Sequence, residues 1–493
     1  MLLSLLSLLS FHLALSLPQT EPPLFPNYPF ISIWNAPMDK CSLPPDMASF
    51  QNVTSPKDPG QFLTLFYDSK LGLYPKYNHM QEYCGGLPQN GNLTAHLTKA
   101  AIDIDAHIAQ NFSQGLVVID WEGWRPLWDQ NWMLKRIYQN FSILQILEKE
   151  PKLCGKSIIE EAKTQFETAA KRYMQETLKL GREKYPNYRW GFYLFPDCYN
   201  YDWNKDFDYT GKCSMKTKEQ NNQMSWLWEA STALFPSIYL DVKLRNSPRA
   251  VKFVQNRVQE ALRVAALPHE KHALPVYVFT RPLYRDQNTV YLSETDLVHT
   301  VGESAALGAA GIIMWGASSD YNNKASCEAL SSYLSSTLGP YMANVTAATF
   351  LCSQVLCQGK GRCVRKNYES AHYLHLSRTH FRVLKCSSKY VAVGRPSEDE
   401  LKQWEDHFTC QCYAQSCGPK LVPPKDIQEI WLNVVLCKGT LCNIFWSRLC
   451  HGNVIVFSWN VPQYGIKLHF SVLLCSELCV KVVPPKTIQE IWV

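Results

Sequence analysis

Residues 115–132 read GLVVIDWEGWRPLWDQNW, and this stretch decides the fold. Its first five residues are apolar and mostly β-branched, which is typical of a buried strand. The run ends in Asp120 and Glu122, two carboxylates separated by one residue. Side chains two positions apart on an extended chain point to the same side. We therefore expect both acids to reach the same place at the end of a strand.

Large aromatic side chains surround the two acids in the sequence. They are Trp121, Trp124 and Trp128, with Arg125 among them. Aromatic faces beside paired carboxyl groups are what a carbohydrate-cleaving cleft requires. Two acids this close cannot both ionise easily, so one pKa is expected to be raised, which keeps a proton donor available. The alternative is a solvated acidic loop beside core tryptophans, because structural ion pairs also cluster in this way.

Length and composition fit a large domain with an appendage. The chain has 493 residues, of which 46% are hydrophobic and 12% aromatic, so core material is ample. The net charge of +6 is mild; it fits an acidic polymer as partner, although solubility alone explains it. No Gly-rich phosphate loop follows a predicted strand, which weakens a nucleotide-binding interpretation, and no Gly-x-Ser-x-Gly elbow supports a serine hydrolase. The histidines lack metal-like spacing. We expect no cofactor, no metal ion and no nucleic-acid partner.

Several features predict secretion. Residues 1–16 are largely apolar and end in small residues, like a signal peptide, although the usual basic start is missing. Eighteen cysteines point the same way. The predicted glycosylation sites are Asn52, Asn92, Asn111, Asn140 and Asn344. We find no apolar run long enough to span a membrane and no apolar tail for a lipid anchor, so soluble secretion is expected.

Strands and helices are predicted to alternate over the first 350 residues. Strands are expected at residues 30–34, 61–67, 115–119, 189–195, 234–240, 274–280 and 311–315. Helices are expected at residues 93–108, 157–180, 225–231, 248–267, 293–307 and 324–342. Repeated units of this length indicate a parallel sheet, and a closed (β/α) barrel is favoured over an open sheet.

Polar aromatic residues stand at or near the ends of three later predicted strands. They are Tyr193, Tyr239 and Trp315. Taken singly, each could equally be a core or rim aromatic. Active sites of barrel enzymes lie at the carboxyl ends of the strands, so several such residues would converge on one barrel mouth.

Beyond residue 350 the chain becomes rich in cysteine. Cys352, Cys357, Cys363, Cys410, Cys412 and Cys417 are closely spaced. In a secreted chain this predicts a small disulfide-stapled module, whereas a zinc site lacks the expected ligand-pair spacing. The tail contains a short duplication, LVPPKDIQEIW at residues 421–431 and VVPPKTIQEIW at residues 482–492, to which we assign no function.

Five long motifs match a known family. They are IDWEGWRPLWDQNW, WGFYLFPDCYNYD, SWLWEASTALFPSIY, GESAALGAAGIIMW and CSQVLCQGKGRCVRKN. Together they resemble the secreted animal hyaluronidases of glycoside hydrolase family 56, colinearly over about residues 30–412, and the sperm-type members most closely. The resemblance implies hydrolysis of β-1,4 linkages between N-acetylglucosamine and glucuronate in hyaluronan, with retention. It implies these units: a signal peptide at 1–16, a catalytic barrel at 17–350, an EGF-like module at 351–418 and an atypical tail at 419–493.

The resemblance also implies residue roles. Glu122 matches the acid/base, and Asp120 matches the partner that orients the substrate's acetamido group. That acetamido oxygen is the nucleophile, which makes the mechanism a substrate-assisted exception to the two-carboxylate rule. Substrate-binding positions are matched by Tyr193, Tyr239, Trp315, Arg125, Arg257 and Phe279. The implied disulfides are Cys41–Cys327, Cys198–Cys213, Cys352–Cys363, Cys357–Cys410 and Cys412–Cys417.

Departures from the family pattern keep two alternatives open. Gly123 replaces a larger residue and loosens the loop beside Glu122. Phe279 stands where the family usually has a tyrosine, which removes a hydroxyl from the cleft. The other departures are a short Cys412–Cys417 spacing and the cysteines without family partners, Cys84, Cys154 and Cys386.

The first alternative is a weak or inactive glycosaminoglycan-binding or adhesion protein. The second is a chondroitin hydrolase, against which Tyr239 argues because the chondroitin-preferring relative departs from tyrosine there. The sequence thus predicts a monomeric extracellular protein with hyaluronan as partner and chondroitin as a second candidate. The sperm surface and the lysosome are further candidate locations.

Overall fold

The computed structural model describes most of the chain. The described residues are 17–108, 114–150, 152–153, 155–205, 207–269, 271–386, 389–413 and 417–418, with the strands at 456–461 and 466–471. Four predictions lie outside these residues: the signal peptide at 1–16, the glycosylation site at Asn111, the unpartnered Cys154 and the duplicated segments of the tail.

The described strands and helices follow one another in a largely alternating order. The strands are β1 (Gln19–Thr20), β2 (Ile31–Asn35), β3 (Asn52–Thr54), β4 (Leu63–Tyr67), β5 (Lys76–Asn78), β6 (Gln81–Tyr83), β7 (Gly115–Asp120), β8 (Tyr188–Phe192), β9 (His272–Ala273), β10 (Tyr277–Thr280), β11 (Gly311–Trp315), β12 (Gly361–Arg365), β13 (Phe381–Cys386), β14 (Lys389–Gly394), β15 (Phe408–Cys412), β16 (Val456–Val461) and β17 (Ile466–Ser471). The α-helices are α1 (Leu93–His107), α2 (Arg136–Lys149), α3 (Lys156–Lys184), α4 (Met215–Gln223), α5 (Ser225–Ala230), α6 (Pro248–Ala265), α7 (Glu294–Leu297), α8 (Glu303–Leu307), α9 (Lys324–Tyr333), α10 (Gly339–Cys357) and α11 (Glu398–His407).

Parallel strands form the wall of a barrel. One sheet has the order β3-β2-β11-β10 and another the order β4-β7-β8. Parallel bridges through residues 234–237 connect β8 to β10. One face of β2, β4, β7, β10 and β11 contributes to a single buried cluster that includes Ile33, Leu65 and Val118. The opposite faces pack with the helices in a second, larger cluster. Strands around a common interior with helices outside confirm the predicted (β/α) barrel.

Helix α3 shows how the sequence produces this packing. Ile158, Ala162 and Phe166 recur every four residues and are buried against the barrel. At its last turns the helix approaches β8 closely through Gly181. A Cβ atom at Gly181 would lie 2.5 Å from the ring of Trp190, so only glycine allows this contact. The predicted helix at 157–180 is therefore present and extends to residue 184.

The segment predicted as a strand at 234–240 differs from the prediction. It forms isolated bridges, Phe235 with Tyr193 and Ser237 with Phe279, and no continuous strand. Pro236 lies between the two bridged positions and has no N–H to donate to a ladder. The wall of the barrel is thus complete at this point through separate contacts.

Two predicted helices contain a π-helical turn. Ser293 caps the first as predicted, because its hydroxyl accepts a hydrogen bond from the Asp296 N–H at 3.1 Å. Val298–Gly302 is a π turn between α7 and α8, and Leu334–Leu338 is another between α9 and α10. The second helix continues to Cys357, so it runs through the boundary expected at residue 350.

The C-terminal cysteines connect a small antiparallel pair, β12 with β15, to helix α10. Disulfides join the same five pairs that the family resemblance implies: Cys41–Cys327, Cys198–Cys213, Cys352–Cys363, Cys357–Cys410 and Cys412–Cys417. Cys84 is free and exposed.

A fully buried ion pair between Arg365 and Glu303 fastens β12 to α8. Within the described part of the chain, no helix is long and apolar enough to cross a membrane.

Candidate active site

A cavity of about 410 Å³ opens at the carboxyl ends of the barrel strands. Its lining consists of Leu65, Tyr67, Asp68, Asp120, Glu122, Gly123, Tyr193, Tyr239, Phe279 and Trp315. The strands β4, β7, β10 and β11 each place a residue in this lining at or near their last position. This is the end at which barrel enzymes carry their active sites.

The two acids of the opening stretch face the cavity together. Asp120 is the last residue of β7, and Trp121 points the other way, where its ring stacks on Tyr74 at 4.7 Å. Glu122 then returns to the cavity side, as the alternation of an extended chain predicts. Asp120 is the more buried acid, whereas the side chain of Glu122 is 52% exposed. The two carboxyl groups thus share one space but differ in solvation.

The raised pKa expected for one acid of the pair belongs to Asp120. Burial is the largest cause and the charge of Glu122 the next; Asp68 adds to it, while Arg125 opposes it, and the pKa rises to about 7. One carboxylate oxygen of Asp120, Oδ1, is buried without a hydrogen-bond partner. Asp120 therefore retains its proton close to neutral pH, and its Oδ1 has no hydrogen-bond partner within the protein.

The loop beside Glu122 is held by contacts that a larger side chain at Gly123 would crowd. A Cβ atom there would lie 3.1 Å from the hydroxyls of both Tyr74 and Tyr138. The Tyr74 hydroxyl accepts a hydrogen bond from the N–H of residue 124 at 3.2 Å. Lys135 donates to the carbonyl of Gly123 at 3.1 Å and also to the carbonyl of Glu122. The loop that the sequence predicts to be loosened is therefore tied to its surroundings at several points.

The prediction that Trp121, Trp124 and Trp128 provide the aromatic faces of a cleft is wrong. They are 3%, 2% and 6% exposed and belong to the core. Tyr74 stacks on the first two rings, and the indole Nε1 of Trp124 donates to the Pro75 carbonyl at 2.8 Å. These tryptophans are part of the core behind the acids.

Aromatic residues from other strand ends line the cavity in their place. Tyr239 stacks on Trp315 with ring centroids 6.0 Å apart, and the Trp315 indole donates to the Tyr67 hydroxyl at 3.2 Å. Tyr193 lies edge-on to Phe279 at 5.1 Å. The aromatic residues singled out at strand ends thus converge on one barrel mouth.

Sequence reasoning missed Tyr67, Asp68 and Lys135. The first two stand at the end of the strand predicted at 61–67, so the rule that found the other strand-end residues applies to them as well. Asp68 forms an ion pair with Lys76 at 2.5 Å. No sequence signal marks Lys135, because its contacts with Glu122 and Gly123 are made to backbone carbonyls.

The two arginines named from the sequence lie outside the cavity lining. Arg125 is buried, and its Nη2 lies 3.6 Å from a carboxylate oxygen of Glu122. Arg257 is 3% exposed, pairs with the buried Asp197 at 2.8 Å and donates to the Ser237 carbonyl at 2.6 Å. The structure brings Arg125 to the acid, whereas Arg257 stabilises the loops behind the cavity.

The predicted glycosylation sites differ in exposure. Asn92 and Asn140 are exposed, and Asn52 and Asn344 are half-buried. The Asn344 amide bonds to the backbone of Leu376 in both directions, at 2.9 Å each. Among the described residues, no cluster of three or more His, Cys, Asp or Glu side chains is placed to hold a metal ion.

The raised pKa of Asp120 predicts a pH-dependent cost to stability. At pH values between the ordinary pKa of 3.8 and the folded pKa of about 7, Asp120 is ionised in the unfolded chain and protonated in the folded chain. The contribution of Asp120 to the free energy of unfolding is therefore full below about pH 4 and falls as the pH rises to 7. We expect Asp120→Asn to raise the unfolding midpoint relative to the wild type by a few degrees at about pH 8 and much less at about pH 4.

Thermal unfolding at both pH values measures this difference. Asp202→Asn serves as the matched control, because the Asp202 side chain is 72% exposed. A midpoint for Asp120→Asn that is unchanged or lower at the higher pH would contradict the interpretation.

The family model and the three known proteins that are compared with this chain below are all described as hyaluronidases. A family model described as hyaluronidase matches residues 19–422. Hyaluronidase-2 of Rattus norvegicus is 43% identical over 412 residues, which cover 81% of this chain and 87% of that protein. Hyaluronidase PH-20 of Homo sapiens is 41% identical over 433 residues, covering 86% and 84% respectively. The crystal structure of bee venom hyaluronidase in complex with a hyaluronic acid tetramer has a TM-score of 0.55 and 31% identity, covering 63% of this chain and 98% of that one.

Proposed function

Because this chain belongs to the hyaluronidase family, we propose that it hydrolyses hyaluronan at the β-1,4 linkages between N-acetylglucosamine and glucuronate, with retention of configuration. One observation carries the proposal: Asp120 and Glu122 meet five aromatic side chains in a cavity at the carboxyl ends of the barrel strands. Bee venom hyaluronidase, which matches this chain over 98% of its own length, binds a hyaluronic acid tetramer in its crystal structure. The reaction class is that of an endo-β-N-acetylhexosaminidase.

Glu122 is the proposed acid and base. Its half-exposed carboxyl group lies open to the cavity, where it would donate a proton to the glycosidic oxygen as the bond breaks. In the second step it would take a proton from the water that attacks the sugar. Arg125, 3.6 Å away, would balance the charge that Glu122 carries between the two steps.

Asp120 is proposed to position the nucleophile, which belongs to the substrate. The oxygen of Asp120 that has no partner within the protein would accept a hydrogen bond from the N–H of the acetamido group, so the acetamido oxygen would turn toward the anomeric carbon. That oxygen forms the new bond to the anomeric carbon while the glycosidic bond breaks. Water later attacks the same carbon from the face that the leaving group left, and the bond to the acetamido oxygen breaks. Two displacements at one carbon give retention, with a single protein acid/base.

The aromatic residues would hold the N-acetylglucosamine ring. The stacked pair of Tyr239 and Trp315 offers an apolar wall, and Tyr67 and Tyr193 add hydroxyl groups. Sugar rings combine apolar C–H faces with hydroxyl edges, so this mixture of surfaces fits them. Arg257 would act indirectly, by keeping the loop that carries Ser237 in place beneath Tyr193.

Digestion of hyaluronan and chondroitin side by side tests the substrate. We expect new N-acetylhexosamine reducing ends from hyaluronan at a higher rate than from chondroitin, with Tyr239 as the residue that favours this order. Faster release from chondroitin would make the protein a chondroitin hydrolase.

A second candidate function is glycosaminoglycan binding or adhesion with little turnover. Phe279 favours it, because this residue lines the cavity without the hydroxyl that the family's tyrosine supplies. This candidate expects hyaluronan retention on a column without release of reducing ends. Measurable turnover would count against it.

Restoring the missing hydroxyl is expected to raise activity. Phe279 is 1% exposed at the base of the cavity and lies edge-on to Tyr193. A hydrogen bond from Phe279→Tyr to the bound sugar should increase kcat/KM for hyaluronan by about 2- to 10-fold. Phe235→Tyr is a matched control, since Phe235 is buried in the same barrel interior and is not part of the cavity lining. Unchanged or lower kcat/KM for Phe279→Tyr would contradict a sugar contact at this position.

We propose an extracellular location for the protein. Five disulfide bonds in the described residues suit an oxidising compartment, as do the apolar leader and the sequons. The sperm surface and the lysosome are narrower candidates that staining of expressing tissue would separate. We also propose that the protein is a monomer, which sedimentation of the secreted protein tests. We propose that it needs no cofactor.

A further inference from the structure

An aromatic surface lies outside the cavity lining and includes Trp132, three residues before the Lys135 that contacts the loop of Glu122. Trp132 is 41% exposed and meets Tyr199 edge-on, with ring centroids 4.8 Å apart. Tyr201, two residues along the chain, is 37% exposed, and the guanidinium of Arg285 lies 5.8 Å over its ring. We call these residues, Trp132, Tyr199, Tyr201 and Arg285, the aromatic track.

The aromatic track is built on a buried carboxylate. Asp197 is 5% exposed and accepts hydrogen bonds from the Tyr199 N–H at 3.0 Å and the Tyr201 hydroxyl at 3.4 Å. It also pairs with Arg257, which binds the Tyr201 hydroxyl at 3.3 Å. The backbone of Tyr199 is left-handed, with φ of 51°, a conformation that a bulky residue adopts only when its surroundings impose it.

Glu122 and Arg125 connect the track to the proposed chemistry. Arg125 lies 3.6 Å from Glu122, and its backbone N–H donates to Oδ1 of Asn131, the residue before Trp132, at 2.9 Å. Trp132 in turn packs against Tyr199. None of the four track residues is part of the cavity lining. Glu122 therefore lines the cavity and is connected through Arg125 to the segment that carries Trp132 of the aromatic track.

We propose that the aromatic track binds the sugars on the leaving-group side of the cleaved bond. This inference rests on the proposed function, in which Glu122 gives its proton to the leaving oxygen and must therefore face that half of the polymer. Half-exposed aromatic rings offer faces on which sugar rings stack. Arg285 is exposed and is held only loosely by Asp241, at 3.8 Å, so its guanidinium can pair with a glucuronate carboxylate.

The position at which an oligosaccharide is cut tests the track. Hyaluronan octasaccharides labelled at the reducing end are digested with the full-length secreted protein, and the labelled fragments are separated by size. Occupation of the track by two or more disaccharides makes the labelled tetrasaccharide the main wild-type product. Trp132→Ala and Arg285→Ala are each expected to lower the ratio of labelled tetrasaccharide to labelled disaccharide by about 3- to 10-fold.

Leu134→Ala is the matched control, because Leu134 lies in the loop of Trp132, is 93% exposed and is not part of the track. Its ratio should equal that of the wild type. Cleavage by the wild type with an unchanged ratio in both track variants would overturn the track alone. Failure of the wild type to cut the octasaccharide at all would overturn the proposed function and the track with it.

Discussion

Replacing Glu122 with glutamine is expected to abolish hyaluronan turnover. The amide keeps the shape of the side chain but has no proton to give to the glycosidic oxygen and cannot take one from water. Loss of a general acid and base lowers kcat by about 10²–10⁴-fold. Because the side chain is half-exposed and contributes little to the core, folding and secretion should be unchanged. Reducing-end release from hyaluronan by the purified variant measures the effect.

Glu229→Gln is the matched control for this variant. Glu229 is an exposed glutamate on α5, outside the cavity lining. It should retain wild-type turnover, and both variants should unfold at the wild-type midpoint. A folded Glu122→Gln protein that still depolymerises hyaluronan would refute the assignment of Glu122 as the acid and base.

Replacing Lys135 with methionine is expected to have the second-largest effect. Its ammonium group donates to the carbonyls of Glu122 and Gly123 and ties down the loop that carries the acid. Methionine keeps the length of the side chain but makes neither hydrogen bond, so the carboxyl group of Glu122 loses its fixed position. Misplacement of a reacting group by about 1 Å costs up to about 10²-fold in rate, and we expect a 10- to 100-fold loss.

The split between kinetic constants distinguishes positioning from general damage. Lys135→Met should lower kcat with little change in KM, because Lys135 is not part of the cavity lining that would hold the sugar. Lys135→Arg should recover part of kcat, since a guanidinium can donate to both carbonyls. Lys149→Met, at an exposed position on α2, is the control and should behave as the wild type. A rise in KM at constant kcat would contradict the positioning role.

The lowered pKa of Lys135 fits this arrangement. Burial is the main cause and the charge of Arg125 the second, and together they bring the pKa to about 8. The charge of the ammonium group is therefore lost at mildly alkaline pH, while its hydrogen bonds to the carbonyls can persist. A neutral amine still has N–H groups to donate to the two carbonyls, so it would keep the loop in place above pH 8.

The barrel was predictable because its signals are local and repeat along the chain. Apolar, β-branched runs alternate with amphipathic helices, and each unit of this kind has few ways to bury its apolar face. The helix at 157–180 and the strand at 115–119 illustrate this. The strand at 234–240 was less predictable, since Pro236 replaces ladder hydrogen bonds with isolated bridges that only the neighbouring strands determine.

The candidate site was predictable in its acids and less so in its surroundings. The period of a strand places Asp120 and Glu122 on one face and Trp121 on the other, and the structure agrees. The period does not tell which face is the cavity, so the tryptophans were assigned to the wrong side. The contacts of Lys135 join carbonyl groups to a residue thirteen positions away, and backbone acceptors leave no mark in the sequence.

Reducing-end release from hyaluronan by the purified, secreted wild-type protein, scanned from acidic to neutral pH, tests the central claim most directly. We predict that new N-acetylglucosamine reducing ends accumulate with time and that the Glu122→Gln protein, assayed in parallel, releases none. Retention of the wild-type protein on immobilised hyaluronan with no reducing ends at any pH would contradict the account and identify the protein as a binder.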